Sequence, residues 1–77
     1  MKYPRVDILK KRIYVPMYKE EYEVQTMRPN WPMQRKSGMT KAKANAFARQ
    51  ELSRLKSEGY AKAVFKSMLI DIRKFVI

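Results

Sequence analysis

Apolar and polar residues alternate along the first third of the chain. Between Arg5 and Val15, Val6 and Ile8 alternate with charged residues, and so do Ile13 and Val15, but the two pairs are out of phase. The pattern predicts two short strands, or one strand with a bulge near Lys10 to Arg12. Pro4 and Pro16 bracket this segment, where a residue lacking an N–H is tolerated. From Tyr18 to Met27 the alternation is cleaner. Tyr18, Glu20, Tyr22, Val24 and Thr26 share one side of a strand, and Lys19, Glu21, Glu23, Gln25 and Met27 share the other. Tyr22 and Val24 are the core-facing pair, and Pro16-Met17 turns the chain. Residues 5 to 27 therefore read as an antiparallel β-hairpin.

The alternation stops at Arg28. Residues 28 to 39 contain two prolines, Asn30, Ser37 and Gly38, which predicts a long loop. At Thr40 the period changes to that of a helix. Thr40 is a good N-cap, and Ala44, Phe47, Ala48, Leu52 and Leu55 fall on one stripe, with Ala42, Ala46 and Ser53 opposite. The helix runs over about residues 40–57, and Gly59 stands where a C′ glycine would end it.

Beyond Gly59 two periods compete. Ala61, Val64, Phe65, Met68, Ile72 and Phe75 make a helical stripe, which keeps a second helix over residues 60–75 as an alternative. The density of Val, Phe and Ile favours C-terminal strands, and one Gly is too short to reverse the chain between two helices. The fold class that results is α+β: one small domain over residues 1–77, with an N-terminal hairpin, a long basic loop, one central helix and C-terminal strand or strands.

Composition narrows the chemistry. Among 77 residues there is no Cys and no His. Disulfides, thiolate metal sites, Cys or His nucleophiles and the commonest general base are thereby absent. Glu20, Glu21 and Glu23 are clustered, but strand alternation splits them between two faces, which suits ion pairing with Lys10, Lys11 or Arg12 better than a convergent acid–base pair. Ser37-Gly38-Met39-Thr40-Lys41 has the residue types of a phosphate loop without its spacing. The expectation is a protein that is not an enzyme and uses no metal or cofactor. The N-terminal stretch has no apolar core of a signal peptide, and no apolar run reaches the ~20 residues of a membrane helix. A cytoplasmic location without membrane association is expected.

Charge then gives the picture a direction. Eighteen Lys and Arg face seven Asp and Glu, a net charge of +11, with a pI near 10.2. Such a field attracts polyanions, and nucleic acid, DNA or RNA, is the expected partner. Arg28, Arg35, Lys36, Lys41 and Lys43 crowd the segment leading into the helix, with no acid among them and Trp31 in their midst. Free N–H groups at a helix start attract anions, so these cations fit phosphate contacts, and Trp31 fits base stacking or, alternatively, a lid over a thin core. Lys10, Lys11 and Arg12 supply a second patch, which either follows a phosphate backbone or protects a strand edge. Lys62, Lys66, Arg73 and Lys74 add cations near an apolar chain end that fits core completion or a homodimer contact.

The alternative reading is a non-enzymatic protein-binding modulator or inhibitor, of the kind encoded by phages or mobile elements, which docks on an acidic groove of a host nucleic-acid-processing or CRISPR enzyme. Tyr3, Tyr14, Tyr18, Trp31 and Arg28 would be its anchors. A basic component of a ribonucleoprotein or virion assembly is a third reading.

Overall fold

In the computed structural model, which describes residues 2–74, the first two strands are single and unbroken. β1 (Arg5–Ile13) and β2 (Lys19–Met27) pair antiparallel at every position, from Arg5 opposite Met27 to Ile13 opposite Lys19. The bulge expected near Lys10 to Arg12 is absent. Ile13 is out of phase with Val6 and Ile8 because it stands on the opposite face of one regular strand, beyond the reach of the core.

The expected loop over 28–39 is half strand. Arg28-Pro29-Asn30-Trp31 makes a tight turn, closed by the Trp31 N–H donating to the Arg28 carbonyl at 3.2 Å. Asn30 has φ of 65°, as the third residue of a type II turn requires. β3 (Gln34–Met39) then pairs antiparallel with β2. Val24 stands opposite Lys36, but Tyr22 stands opposite Met39, so β3 carries one extra residue there. Gly38, with φ of 76°, accommodates it as a β-bulge. The bulge lets both Lys36 and Met39 face the same side; strict alternation would have put them on opposite sides. Proline and glycine, read as loop punctuation, mark here a turn and a bulge.

The helix α1 (Lys41–Ser57) starts and ends where the sequence indicates. Thr40 caps it, its hydroxyl accepting from the Lys43 N–H at 3.3 Å. At the other end the Tyr60 N–H reaches the Leu55 carbonyl and the Gly59 N–H reaches that of Lys56, both at 3.1 Å. This is a Schellman closure, and Gly59 takes the required positive φ of 101°.

Residues 60–74 are not a second helix. β4 (Lys62–Phe65) and β5 (Met68–Asp71) form a hairpin, followed by a 3-10 turn at Ile72–Lys74. Lys66 and Ser67 make the two-residue turn, both with positive φ. β4 lies parallel to β1, and the sheet order is β3-β2-β1-β4-β5. The apolar side chains Phe75, Val76 and Ile77 fall outside the described residues.

The helix covers one face of the sheet. Val6, Val24, Met39, Ala44, Ala48, Leu52, Leu55, Ala63 and Ile72 form the core, with Ile8, Tyr22, Phe47, Tyr60, Phe65 and Ile70 at its margin. Ala44 and Ala48 bring the helix backbone close to the sheet. β4 pairs with β1 only at Arg5 and Val6, so the upper half of β1 has no strand on that side among the described residues. Lys10 to Arg12 lie along this open edge. No helix among the described residues is long and apolar enough to cross a membrane.

Candidate nucleic-acid interface

The acids decide which cations remain available. Every Asp and Glu is ion-paired. Asp7 meets Arg5 at 2.6 Å, Glu20 meets Lys10 at 2.6 Å, and Glu21 meets Lys19 at 3.1 Å. Glu23 holds both Lys11 and Arg35, at 2.8 and 3.3 Å. Glu51 lies 3.3 Å from Arg54, Glu58 meets Arg28 at 2.8 Å, and Asp71 meets Arg73 at 2.8 Å. The eight paired cations are thus Arg5, Lys10, Lys11, Lys19, Arg28, Arg35, Arg54 and Arg73. Among the described residues, Lys2, Arg12, Lys36, Lys41, Lys43, Arg49, Lys56, Lys62, Lys66 and Lys74 have no carboxylate within ion-pair distance.

The sheet face away from the helix is therefore close to neutral. By register it presents Arg5, Asp7, Leu9 and Lys11 beside Glu21, Glu23 and Gln25, with Arg35 alongside. Glu23 is its centre, buried to 2 % exposure. Lys11, then Gln25, then Arg35 hold its carboxyl down at about 2. The three glutamates, expected to pair with Lys10, Lys11 or Arg12, are split as alternation requires, with Glu20 on the helix side and Glu21 and Glu23 on the other. Glu23, however, is enclosed. Arg35, counted from the sequence among the phosphate contacts, is part of that enclosure.

Arg28 is also committed to the fold. It is only 7 % exposed, and its guanidinium grips both oxygens of Glu58, at 2.8 and 3.0 Å, while a third N–H donates to Gln34 Oε1 at 2.7 Å. This fork ties the end of β2, the start of β3 and the C-cap of α1 together. It holds the Glu58 carboxyl below its ordinary range.

The unmatched cations that do gather surround the start of α1. Lys36 and Lys43 line an open cleft of 460 Å³ with Ser37, Gly38, Phe47 and Gln50. The Lys36 ammonium sits 4.9 Å from the Phe47 ring centroid. On the other flank of the helix, Lys41 and Lys66 line a 490 Å³ cleft with Asn45, Ser67 and the ion-paired Arg5 and Asp7. No acid lies in the first turn of α1. Its positive dipole end and its first free N–H groups therefore add to the lysine charges instead of offsetting them. Lys66 was not singled out from the sequence for this site. Its only signal was a turn between Phe65 and Met68, and that turn contains no Gly or Asn.

Trp31 is placed elsewhere. It is 66 % exposed, so it is not a lid over the core. It shares a cleft with Arg28, Gln34, Arg54 and Glu58 near the end of α1. One sequence segment has thus been divided, with Lys36, Lys41 and Lys43 at one end of the helix and Trp31 at the other. Lys10, Lys11 and Arg12 lie on the exposed upper part of β1, and of the three Arg12 alone lacks a carboxylate partner.

The arrangement contains no metal-binding group of three acidic residues among the described residues. Comparison with known protein families, curated proteins and solved structures yields no match.

Proposed function

We propose that this protein binds nucleic acid, holding phosphates around the N-terminal end of α1. One observation carries the reading: the acids are all consumed in ion pairs, and four lysines without a carboxylate partner border a helix start that has no acid in its first turn, Lys36 and Lys43 on one flank and Lys41 and Lys66 on the other. An unrelieved cluster of this kind costs the folded protein electrostatic energy, which a bound polyanion reverses. The two open clefts that flank the helix start suit an extended anion better than an enclosed small molecule. Trp31, exposed at the far end, offers a ring on which an unpaired base can stack. Arg12 extends the positive surface toward the hairpin.

The test is binding of labelled duplex DNA, single-stranded DNA and single-stranded RNA across a salt series. Contacts to four phosphates give a log–log slope of about −3.6 on duplex DNA. Replacing Lys36, Lys41 and Lys43 together by Gln should make that slope shallower by about 2.7. Absence of binding to all three at low salt would sink the reading, and recovery of a single acidic protein partner would then favour the modulator.

A further inference from the structure

One flank of α1 carries a continuous track. The cleft of Lys36 and Lys43 at the helix start shares Lys36 and Phe47 with a second cleft of 190 Å³ along the middle turns. That cleft in turn shares Gln34 and Arg54 with the cleft of Trp31 at the far end. The three together join unmatched lysines to an exposed ring along a helix of 17 residues, about 25 Å long.

Glu51 lines the middle cleft. It is 3 % exposed, and its Oε1 accepts from the Thr26 hydroxyl at 3.2 Å. Its Oε2 is buried and accepts no hydrogen bond. Arg54 Nη1 stands 3.3 Å from that oxygen, near enough for an ion pair but not directed as a hydrogen bond. The Arg54 side chain is itself 59 % exposed. A buried carboxylate oxygen without a directed donor is costly, and such a group marks either strain or the place of a ligand.

The surroundings define the ligand that would satisfy it. Arg28 and Arg35 border the track but are committed to Glu58 and Glu23, so they add no net charge. Lys36 has no carboxylate partner, and Arg54 holds Glu51 only loosely. A cationic donor is therefore repelled from this cleft, whereas a neutral donor carried on an anion is not. An unpaired nucleobase is such a group, since its edge donates while its phosphates carry the charge. Guanine suits a carboxylate best, because its N1–H and N2–H donate side by side. Adenine and cytosine set a ring acceptor beside their amino group, and thymine or uracil offers one N–H between two carbonyls. Phe47, half-buried in the same cleft, gives the base an aromatic wall.

We infer that the middle cleft is a pocket for an unpaired guanine, with Glu51 accepting from its N1–H and N2–H. The inference rests on the nucleic-acid reading and names both the form, a single strand, and the base. Oε1 keeps a second lone pair beside its bond from Thr26, so both oxygens can accept from the base. As guanine enters, Arg54 turns outward to the phosphates and yields Oε2 to a better-directed donor. An exposed ion pair loses little by parting. The strand then runs from Lys43 and Lys36 past Glu51 to Trp31, which gives the cationic and aromatic ends of this flank one ligand. A duplex has this edge of guanine already paired.

The experiment measures anisotropy of a labelled oligothymidylate at fixed salt, its central position being dT, dG, dA, dC or deoxyinosine, with the parent and with Glu51→Gln. Inosine keeps N1–H and lacks N2–H. The parent should bind the dG strand about 10-fold tighter than the dT, dA and dC strands, with inosine between. In Glu51→Gln the carboxamide keeps its oxygen on the Thr26 hydroxyl and turns its NH2 to the base. The guanine preference should then vanish while the salt dependence stays that of the parent. The substitution preserves shape, and a thermal melt confirms the fold; should the variant melt below the assay temperature, the base series in the parent decides alone. Equal, salt-dependent binding of all five strands by the parent overturns the guanine pocket and leaves the phosphate reading standing. A preference for another base, or a guanine preference that survives in folded Glu51→Gln, also overturns the pocket. Binding to none of the strands at low salt overturns both readings.

Discussion

At the scale of single residues, what separates one cation from another is the presence of a carboxylate, and pairing is set by strand register. Arg28 and Lys36 belong to the same basic segment and look equivalent in sequence. Arg28 ends up beneath the helix C-cap with its fork on Glu58, thirty residues away in the chain, while Lys36 faces an open cleft over Phe47. Arg28→Ala should therefore act on stability. Loss of a two-pronged charged hydrogen bond in a mostly buried site costs about 1.5–3 kcal/mol, read as a lower denaturation midpoint, while nucleic-acid affinity at a temperature where the variant is folded stays within twofold of the parent. A large affinity loss in a fully folded Arg28→Ala protein would return Arg28 to the interface. The sequence made Lys36, Lys41 and Lys43 legible as a group because they lie next to a helix start that the N-cap Thr40 announces. It could not show that Arg35 belongs to Glu23 or Arg28 to Glu58, since those partners are brought near by the pairing of β2 with β3 and by the length of α1.

At the scale of elements, periodicity was informative wherever one face is buried. The helix from Thr40 to Gly59 and the faces of β2 were legible because Leu52, Leu55, Val24 and Thr26 must all reach one thin core. β3 was not, because its residues Gln34 to Gly38 are all exposed and offer no alternation; only Met39 is buried. The bulge at Gly38 gives that segment its role, placing Lys36 on the helix side while Met39 still enters the core. Gly38→Ala should destabilise the protein by about 1–2 kcal/mol, because an L-residue at φ of 76° is strained. A built Cβ meets nothing within 4 Å, so the cost is one of backbone conformation and not of collision. Gly38→Asn should then recover part of the loss, since Asn tolerates the left-handed region. A thermal melt checks both variants; equal destabilisation by Ala and Asn would show that strain at this φ is not the cause. The C-terminal strands sat between two periods in the sequence because β4 and β5 are only four residues each, too short for period 2 to outweigh a helical stripe.

At the scale of the whole molecule, the hairpin and the helix were visible in the sequence, but the strand order was not. Nothing local states that β4 will return beside β1 in parallel and make it a central strand. The ion pairs do not depend on that closure: each of the seven carboxylates is beside a cation through contacts among the first three strands, within α1, between Arg28 and Glu58 and between Asp71 and Arg73, and the excess charge lies outside. Acid should attack this arrangement in one window. Glu23 and Asp71 both have their carboxyls held at about 2 in the fold, by Lys11 and by Arg73 foremost. Glu20 and Glu58 are also lowered, by Lys10 and by Arg28. A folded-state value below the unfolded one means that the unfolded chain binds protons first as pH falls. The stabilisation is then complete above the ordinary carboxylate range, near 4.5 for Glu and 3.8 for Asp, and is lost as pH falls from there through about 2. Protonation also drives the net charge from +11 toward +18, since eighteen cations would face no carboxylate, and self-repulsion adds to the loss. With no His and no Cys, no side chain titrates ordinarily between pH 5 and 8. The melting temperature should therefore be flat across that range and fall steeply below about pH 4.5. In Glu23→Gln the fall should be shallower, because one of the two most depressed carboxyls is gone. Added salt should restore part of the acid loss by screening the repulsion. A melting temperature that declines already between pH 8 and 5, or a Glu23→Gln curve parallel to the parent's, would show that the enclosed Glu23 cluster does not set the acid limit of this fold.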